Sequence, residues 1–246
     1  MKISNRLRAL YDAVSLGESV ADIGTDHGYV PILLLQNHVS PKVILSDISS
    51  GSLAKAIENF HDVPFEIPES CFRVGDGLNT LQNAEVETVI IAGMGGQLIE
   101  SILEENPEKT ASYRKFILQP RNNSGELRCY LYENGFDIEQ EILVDEGKFI
   151  CEIIVATSGK HDYRLTHYDK HDIRWKYPEA FIMCEPRLLA KRIDWRANRI
   201  LEQIESLKRS QMSQESKIAE LNAQREYILE LKERNQQYHE EKDGNH

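Results

Sequence analysis

Val20-Ala-Asp-Ile-Gly-Thr-Asp-His-Gly-Tyr29 is the stretch on which the reading of this chain turns. A short apolar run ends at Gly24. A second apolar run, with Val30, Leu33, Leu34 and Leu35, follows Gly28. The first has the length of a buried strand and the second the spacing of a helix. Glycine between them lets the backbone turn tightly and come close to a ligand. A helix opening there presents free N–H groups and the positive end of its dipole. A dinucleotide site favours G-x-G-x-x-G, with bare backbone against a pyrophosphate. Here the glycines stand as G-x-x-x-G with Asp26 between them. That carboxylate would repel a pyrophosphate and suits a ligand bearing an ammonium and a sulfonium. The rival reading is a structural strand-to-helix turn.

Outward from this turn, strand and helix patterns alternate. Leu7, Leu10, Tyr11 and Val14 predict a short helix over 4–15. Strands are expected at 42–47, 71–75, 88–92 and 116–119, and helices at 49–60, 97–105 and 123–134. Ser49 or Ser50 caps the first of these helices, and Gly135 stops the last. Two runs, 138–144 and 149–156, flank Asp145-Glu-Gly-Lys148, a hairpin signal. The chain is therefore α/β and Rossmann-like, a parallel sheet with helices on both faces, closed by a hairpin that brings in one antiparallel strand. A plain dinucleotide-binding domain would more often continue with further crossovers.

Ser158-Gly159 marks a boundary, giving a first domain over 1–159 and a second over 160–246. Residues 160–178 are polar, aromatic and basic without a clear period. Beyond Leu189, Ile193, Ala197, Ile200, Ile204 and Leu207 form one apolar stripe, and Ile218, Leu221, Arg225 and Ile228 another. The polar break Ser210–Ser216 between them predicts an antiparallel helical hairpin of coiled-coil character, with a frayed tail from Asn235.

The 246 residues carry a net charge of −11, which argues at first against a nucleic-acid partner. The charge is uneven. Residues 1–159 hold 12 Lys/Arg against 24 Asp/Glu, whereas 160–199 hold 10 against 6 and add His161, His167 and His171. That basic stretch is either a phosphate-binding face or a solvated surface. The four cysteines, Cys71, Cys129, Cys151 and Cys184, show no C-x-x-C spacing and no accompanying histidine cluster, so no metal and no disulfide framework are expected, only buried free thiols. No run of about 18 apolar residues exists and the N-terminus lacks a signal core, so a cytoplasmic protein with no membrane partner is expected.

Further candidates stand at the predicted strand ends. Asp47, with Ile48 beside it, closes the second strand, where a carboxylate can accept both hydroxyls of a ribose; a helix N-cap is its rival role. Asp76-Gly77 follows the third strand, as a base contact or a simple Asp-Gly turn. Ala92-Gly-Met-Gly-Gly96 follows the fourth, and three glycines there imply close backbone approach. Gln119, Pro120, Arg121 and Asn122 end the fifth, either toward a substrate or as a surface turn.

Taken together, Val20–Tyr29, Ile91-Ala-Gly-Met-Gly-Gly96, Leu118-Gln-Pro120 and the helical tail resemble the bacterial tRNA (adenine-N1)-methyltransferase family that modifies adenine 22. The resemblance spans about residues 3–230. It implies a class I methyltransferase domain, S-adenosyl-L-methionine as cofactor, and a C-terminal coiled-coil domain that helps to hold tRNA. It places Asp22, Gly24, Thr25, Asp26, Gly28, Asp47, Ile48, Asp76, Gly77, Gly93 and Met94 along the cofactor. Arg6 on the leading helix faces the catalytic cleft. Adenine N1 carries a lone pair at neutral pH, so catalysis would rest on positioning, with a carboxylate near the base. Asp26 is the candidate carboxylate, with His27 and Tyr29 as helpers; His27 has an alternative role as a hydrogen-bonded residue at a helix start. Arg6, Gln119, Pro120, Arg121 and Asn122 would meet the substrate. Lys170, Arg174, Lys176, Lys191, Arg192, Arg196 and Arg199 would meet RNA, and the protein would act as a monomer. The rivals are a small-molecule methyltransferase on the same fold and a non-catalytic helical docking module.

Overall fold

A computed structural model describes residues 3–159, 168–209 and 214–244. His161, His167 and most of the polar break expected between the two long helices lie outside these residues.

Seven strands form one sheet in the order β3-β2-β1-β4-β5-β7-β6. They are β1 Val20–Ile23, β2 Val43–Asp47, β3 Phe72–Val74, β4 Thr88–Met94, β5 Lys115–Pro120, β6 Phe136–Asp145 and β7 Ile150–Ser158. The first five run parallel. The closing hairpin folds back so that β7, antiparallel to both neighbours, lies between β5 and β6. Its turn is anchored by the Asp145 carboxylate, which accepts the Gly147 N–H at 2.7 Å.

Strand residues alternate between two cores, as the two-residue period demands. Ala21, Ile23, Val89, Ile91, Phe116 and Leu118 pack on one face with α4 Gly96–Glu104 and α6 Ser124–Glu133. Val20, Val43, Leu45, Ile90 and Ile117 pack on the other with α1 Asn5–Asp12, α2 Tyr29–Gln36 and α3 Ser50–His61. Ser4 caps α1 and Ser49 caps α3 by accepting backbone N–H groups. A short helix not foreseen in the sequence, α5 Pro107–Ala111, starts at Asn106 with proline in its first turn. Five residues are too few to show a period. Among the described residues no helix is long and apolar enough to cross a membrane, and no cluster of possible metal ligands occurs.

After the one-turn α7 Ile173–Lys176, two long helices complete the chain: α8 Pro186–Arg209 and α9 Glu215–Asp243. Leu189, Ile193, Ala197, Ile200 and Ile204 of α8 meet Leu221, Ile228 and Leu231 of α9 around Tyr177 and Phe181. Lys232 reaches back to Asp194 at 2.6 Å, as an antiparallel pair requires. The tail is not frayed at Asn235. That side chain is 1% exposed, and its amide donates to the carbonyls of Ile182 and Cys184, each at 2.8 Å. A buried polar anchor carries no hydrophobic period, which is why the stripe seemed to end early.

A buried ion cluster joins this helical part to the sheet. Arg128, 1% exposed, forks onto Glu141 at 2.6 and 2.8 Å and onto Glu152 at 2.6 Å. It also donates to the Trp175 carbonyl at 3.2 Å, and Arg192 of α8 completes the cluster on Glu152. Burial pushes Glu141 up, with Arg128 opposing. At Glu152 burial also pushes up, but Arg192 and Arg128 together hold it below the usual carboxylate range.

Candidate active site

The parallel strands end along one edge, where an α/β sheet places its ligands. At the end of β1, Gly24 adopts φ +76° and its N–H donates to the Ser46 carbonyl at 2.7 Å. A Cβ at Gly24 would stand 2.1 Å from the Met94 Cε, so the two strand ends touch through bare backbone and a thioether. On β4, the register against β5 slips between Ala92 and Met94, and Gly93 takes up the slip, also at φ +76°. The bulge takes the Gly93 N–H out of the ladder, and Gln119 Oε1 accepts it at 3.1 Å. The same Oε1 accepts Arg6 Nη1 at 3.3 Å. Gln119, 3% exposed, therefore fastens β4, β5 and α1 together.

The glycine run of β4 is thus divided in its duties. Gly93 forms the bulge. Gly96 has no room for a side chain, because a Cβ would meet the carbonyls of Asn123 at 2.6 Å and Asn122 at 2.8 Å. Gly95 is less confined, since its Cβ would stand 3.1 Å from the Asn122 side-chain oxygen. Loop-to-loop packing therefore accounts for Gly96, and the bulge for Gly93.

Carboxylates line this edge. Burial pushes Asp22 up to about 6, against the Thr25 hydroxyl and the Arg6 guanidinium, and Asp47 adds to the rise. Asp47 does not cap α3, since Ser49 does so; instead its Oδ1 accepts the Ser49 N–H at 2.7 Å. Ile48 beside it is 71% exposed, an unused apolar face next to a carboxylate. Asp76 is exposed, while Gly77 behind it is buried against Ile102 at φ +48°. Gly28, at φ +66°, lets α2 start directly against Leu45 and Ala56.

Asp26, His27 and Tyr29 come together. Asp26 lies between Lys55 Nζ at 2.9 Å and His27 Nε2 at 3.1 Å, and the Lys55 hydrogen bond holds it below the usual carboxylate range. The His27 ring stacks on Tyr29, centroids 5.2 Å apart. Tyr29 lines a hollow with Ile3 and Asn59. The larger cleft, about 720 Å³, is lined instead by Arg6, Gln119, Pro120, Arg121 and Asn122 together with Glu146, Phe149, Lys176 and Arg192. In the sequence Glu146 belongs only to the expected hairpin turn, and Phe149 only to the strand run 149–156 that follows it. Glu146 accepts the Arg6 backbone N–H at 2.8 Å across 140 residues of sequence, a partnership with no local signal.

Of the seven basic side chains expected to meet RNA, five already hold a carboxylate: Lys170 with Glu100, Arg174 with Asp172, Lys191 with Asp145, Arg192 with Glu152 and Arg199 with Glu202. Arg192 in particular is largely enclosed and lies over the Tyr177 ring at 5.0 Å. Its first duty is to hold α8 to the sheet.

These residues fit a cationic nucleoside cofactor. Two bare turns at φ +76° lie on adjacent strands, and the acids Asp22, Asp26, Asp47 and Asp76 accompany them along the strand ends. Residues 3–154 match the methyltransferase domain family. The chain is 32% identical over 162 residues to the tRNA (adenine(22)-N(1))-methyltransferase of Bacillus subtilis, covering 66% of this chain and 68% of that one. The crystal structure of the B. subtilis m1A22 tRNA methyltransferase TrmK superposes with a TM-score of 0.75 at 25% identity, over 94% of this chain and 98% of that one. A Streptococcus pneumoniae candidate tRNA (m1A22) methyltransferase, solved with S-adenosyl-L-methionine, gives 0.76 at 27% identity, over 94% and 99%.

Proposed function

The chain belongs to the tRNA (adenine(22)-N1)-methyltransferase family, and from that premise we propose how its residues carry a methyl group from S-adenosyl-L-methionine to N1 of adenine 22 in tRNA. When bound, the cofactor supplies a methyl group activated by its sulfonium. The observation that carries the assignment is the pair of bare turns, Gly24 and Gly93, side by side among carboxylates.

Asp22, ionised above about pH 6, faces the cationic part of the cofactor, and Gly24, Thr25 and Gly28 shape the turn around it. Asp47, whose Oδ1 accepts the Ser49 N–H, would hold the ribose hydroxyls, and the exposed Ile48 and Asp76-Gly77 would hold the base. Gly93 and Met94 close the floor. Adenine N1 needs no strong base to react, so the protein acts by orienting the ring and by placing negative charge near the amino group as the ring becomes cationic. Asp26 supplies that charge, with His27 and Tyr29 fixing its position. Arg6, held by Gln119 and Glu146, faces the substrate beside Pro120, Arg121 and Asn122.

Residues 1–159 form the cofactor-binding domain, and 160–246 hold the RNA, through Lys191 and Arg192 among others. The same reading has the protein work as a cytoplasmic monomer without a metal. The experiment is single-turnover methylation of an unmodified tRNA transcript by Asp26→Asn and Arg6→Ala, with cofactor affinity measured separately. Transfer falling about 100-fold or more at unchanged cofactor affinity is the expected result. Full turnover by Asp26→Asn removes that residue from the mechanism.

A further inference from the structure

Phe149 is 61% and Trp195 64% exposed, large apolar surfaces left in water where folding gains nothing from them. They come from distant parts of the chain, the β6–β7 turn and the outer face of α8. Both line one hollow of about 260 Å³, with Lys148, Ile150, Lys191 and Arg192. This hollow shares Phe149, Ile150 and Arg192 with the wall of the larger cleft that holds Arg6, Gln119 and Arg121. The two form one continuous surface.

Its charge runs against that of the chain. In a protein of net −11, the two walls bring together Arg6, Arg121, Lys148, Lys176, Lys191 and Arg192 against Glu146 and Glu152. Asp145 answers only Lys191. Exposed aromatic rings beside ammonium groups are the combination that binds unpaired nucleotides, the base lying on a ring and the phosphate on a cation. Paired RNA offers no free base face to such rings.

We propose that Phe149 and Trp195 form a stacking platform for an unpaired tRNA nucleotide other than the one methylated, with Lys148 and Lys191 beside its phosphate. The inference rests on the tRNA reading above and adds a second point of grip. It makes the tRNA a substrate held at two places, the reacting adenine by the strand ends and another base by the hairpin and α8.

The test uses the full-length protein and an unmodified tRNA transcript, comparing the parent with Trp195→Ala, Phe149→Ala and Trp195→Phe. Both side chains are exposed, so truncation leaves the cores untouched. Each alanine variant is expected to raise the Kd and KM for tRNA about 5- to 150-fold, the range for one lost stacking contact. For Trp195→Ala, whose ring lies outside the cleft of Arg6 and Gln119, the kcat at saturating tRNA and the affinity for S-adenosylhomocysteine stay within twofold of the parent, and Trp195→Phe recovers most of the loss. Alanine variants that bind and methylate tRNA within twofold of an active parent overturn the proposal and leave the functional reading intact. A parent that neither binds nor methylates tRNA refutes the functional reading itself, and the platform with it.

Discussion

Asp22→Asn separates what the folded protein loses from what the cofactor gains. Burial raises the Asp22 carboxyl from an ordinary 3.8 to about 6. Below about pH 4 the group is protonated in folded and unfolded chains alike, and it costs nothing. As pH rises from about 4 to about 6, the unfolded chain releases its proton first, so the folded state loses stability. Above about 6 the cost is constant. Two units at about 1.4 kcal/mol each make it about 3 kcal/mol, an order-of-magnitude figure. Asparagine carries no such cost. The ligand-free variant is therefore expected to be more stable than the parent at pH 8, with a midpoint about 5–10 °C higher, and to match it near pH 4. Its cofactor affinity should fall about 10- to 150-fold, the loss of a charge-assisted contact. In the parent, affinity should weaken about tenfold between pH 7 and pH 5 as Asp22 takes up its proton. Thermal unfolding across pH and calorimetric titration with S-adenosylhomocysteine read all three. A variant no more stable at pH 8, or one that binds the cofactor as tightly as the parent, refutes the placing of a costly carboxylate here for the ligand.

Three other substitutions probe the frame around the site. Gly24→Ala forces a side chain to φ +76° and into Met94, so it should lose about 1–3 kcal/mol of stability and most cofactor binding, read by denaturant unfolding and titration. Arg128→Met takes the hydrogen-bonded cation from buried Glu141 and leaves Glu152 with Arg192 alone, and should cost about 3–5 kcal/mol in denaturant unfolding; a loss under 1 kcal/mol would show that the cluster is not the tie between sheet and helical hairpin. Arg121→Ala removes an exposed cation from the cleft, and the slope of tRNA affinity against salt should fall by about one, with cofactor affinity unchanged.

The sheet was legible because the parallel strands other than the short β3 are built on apolar runs, and α-helices follow most of them. The runs at 88–92 and 116–119, within β4 and β5, announce themselves in this way. The ends were less visible. β4 runs on through Gly93 to Met94, because a bulge stabilised by Gln119 allows it, and nothing near Gly93 in sequence names that partner. Asn235 looked like the start of a loose tail because its anchor is three carbonyls more than fifty residues away. Acids at strand ends could be nominated from spacing alone. Their environments could not: Asp22 is half-buried, its carboxyl pushed up against the pull of Arg6, and Asp26 is exposed between Lys55 and His27. The basic stretch was the least legible, since Arg192 also turns inward to Glu152. Charge counts do not distinguish a cation facing RNA from one that closes an internal pair.

The most direct measurement is methyl transfer from labelled S-adenosyl-L-methionine to an unmodified tRNA transcript, with the product nucleoside identified and a transcript carrying guanine at position 22 run alongside. The account predicts N1-methyladenosine in the first transcript and no label in the second. Label of equal amount in both, or transfer to a small molecule without any to tRNA, would contradict it.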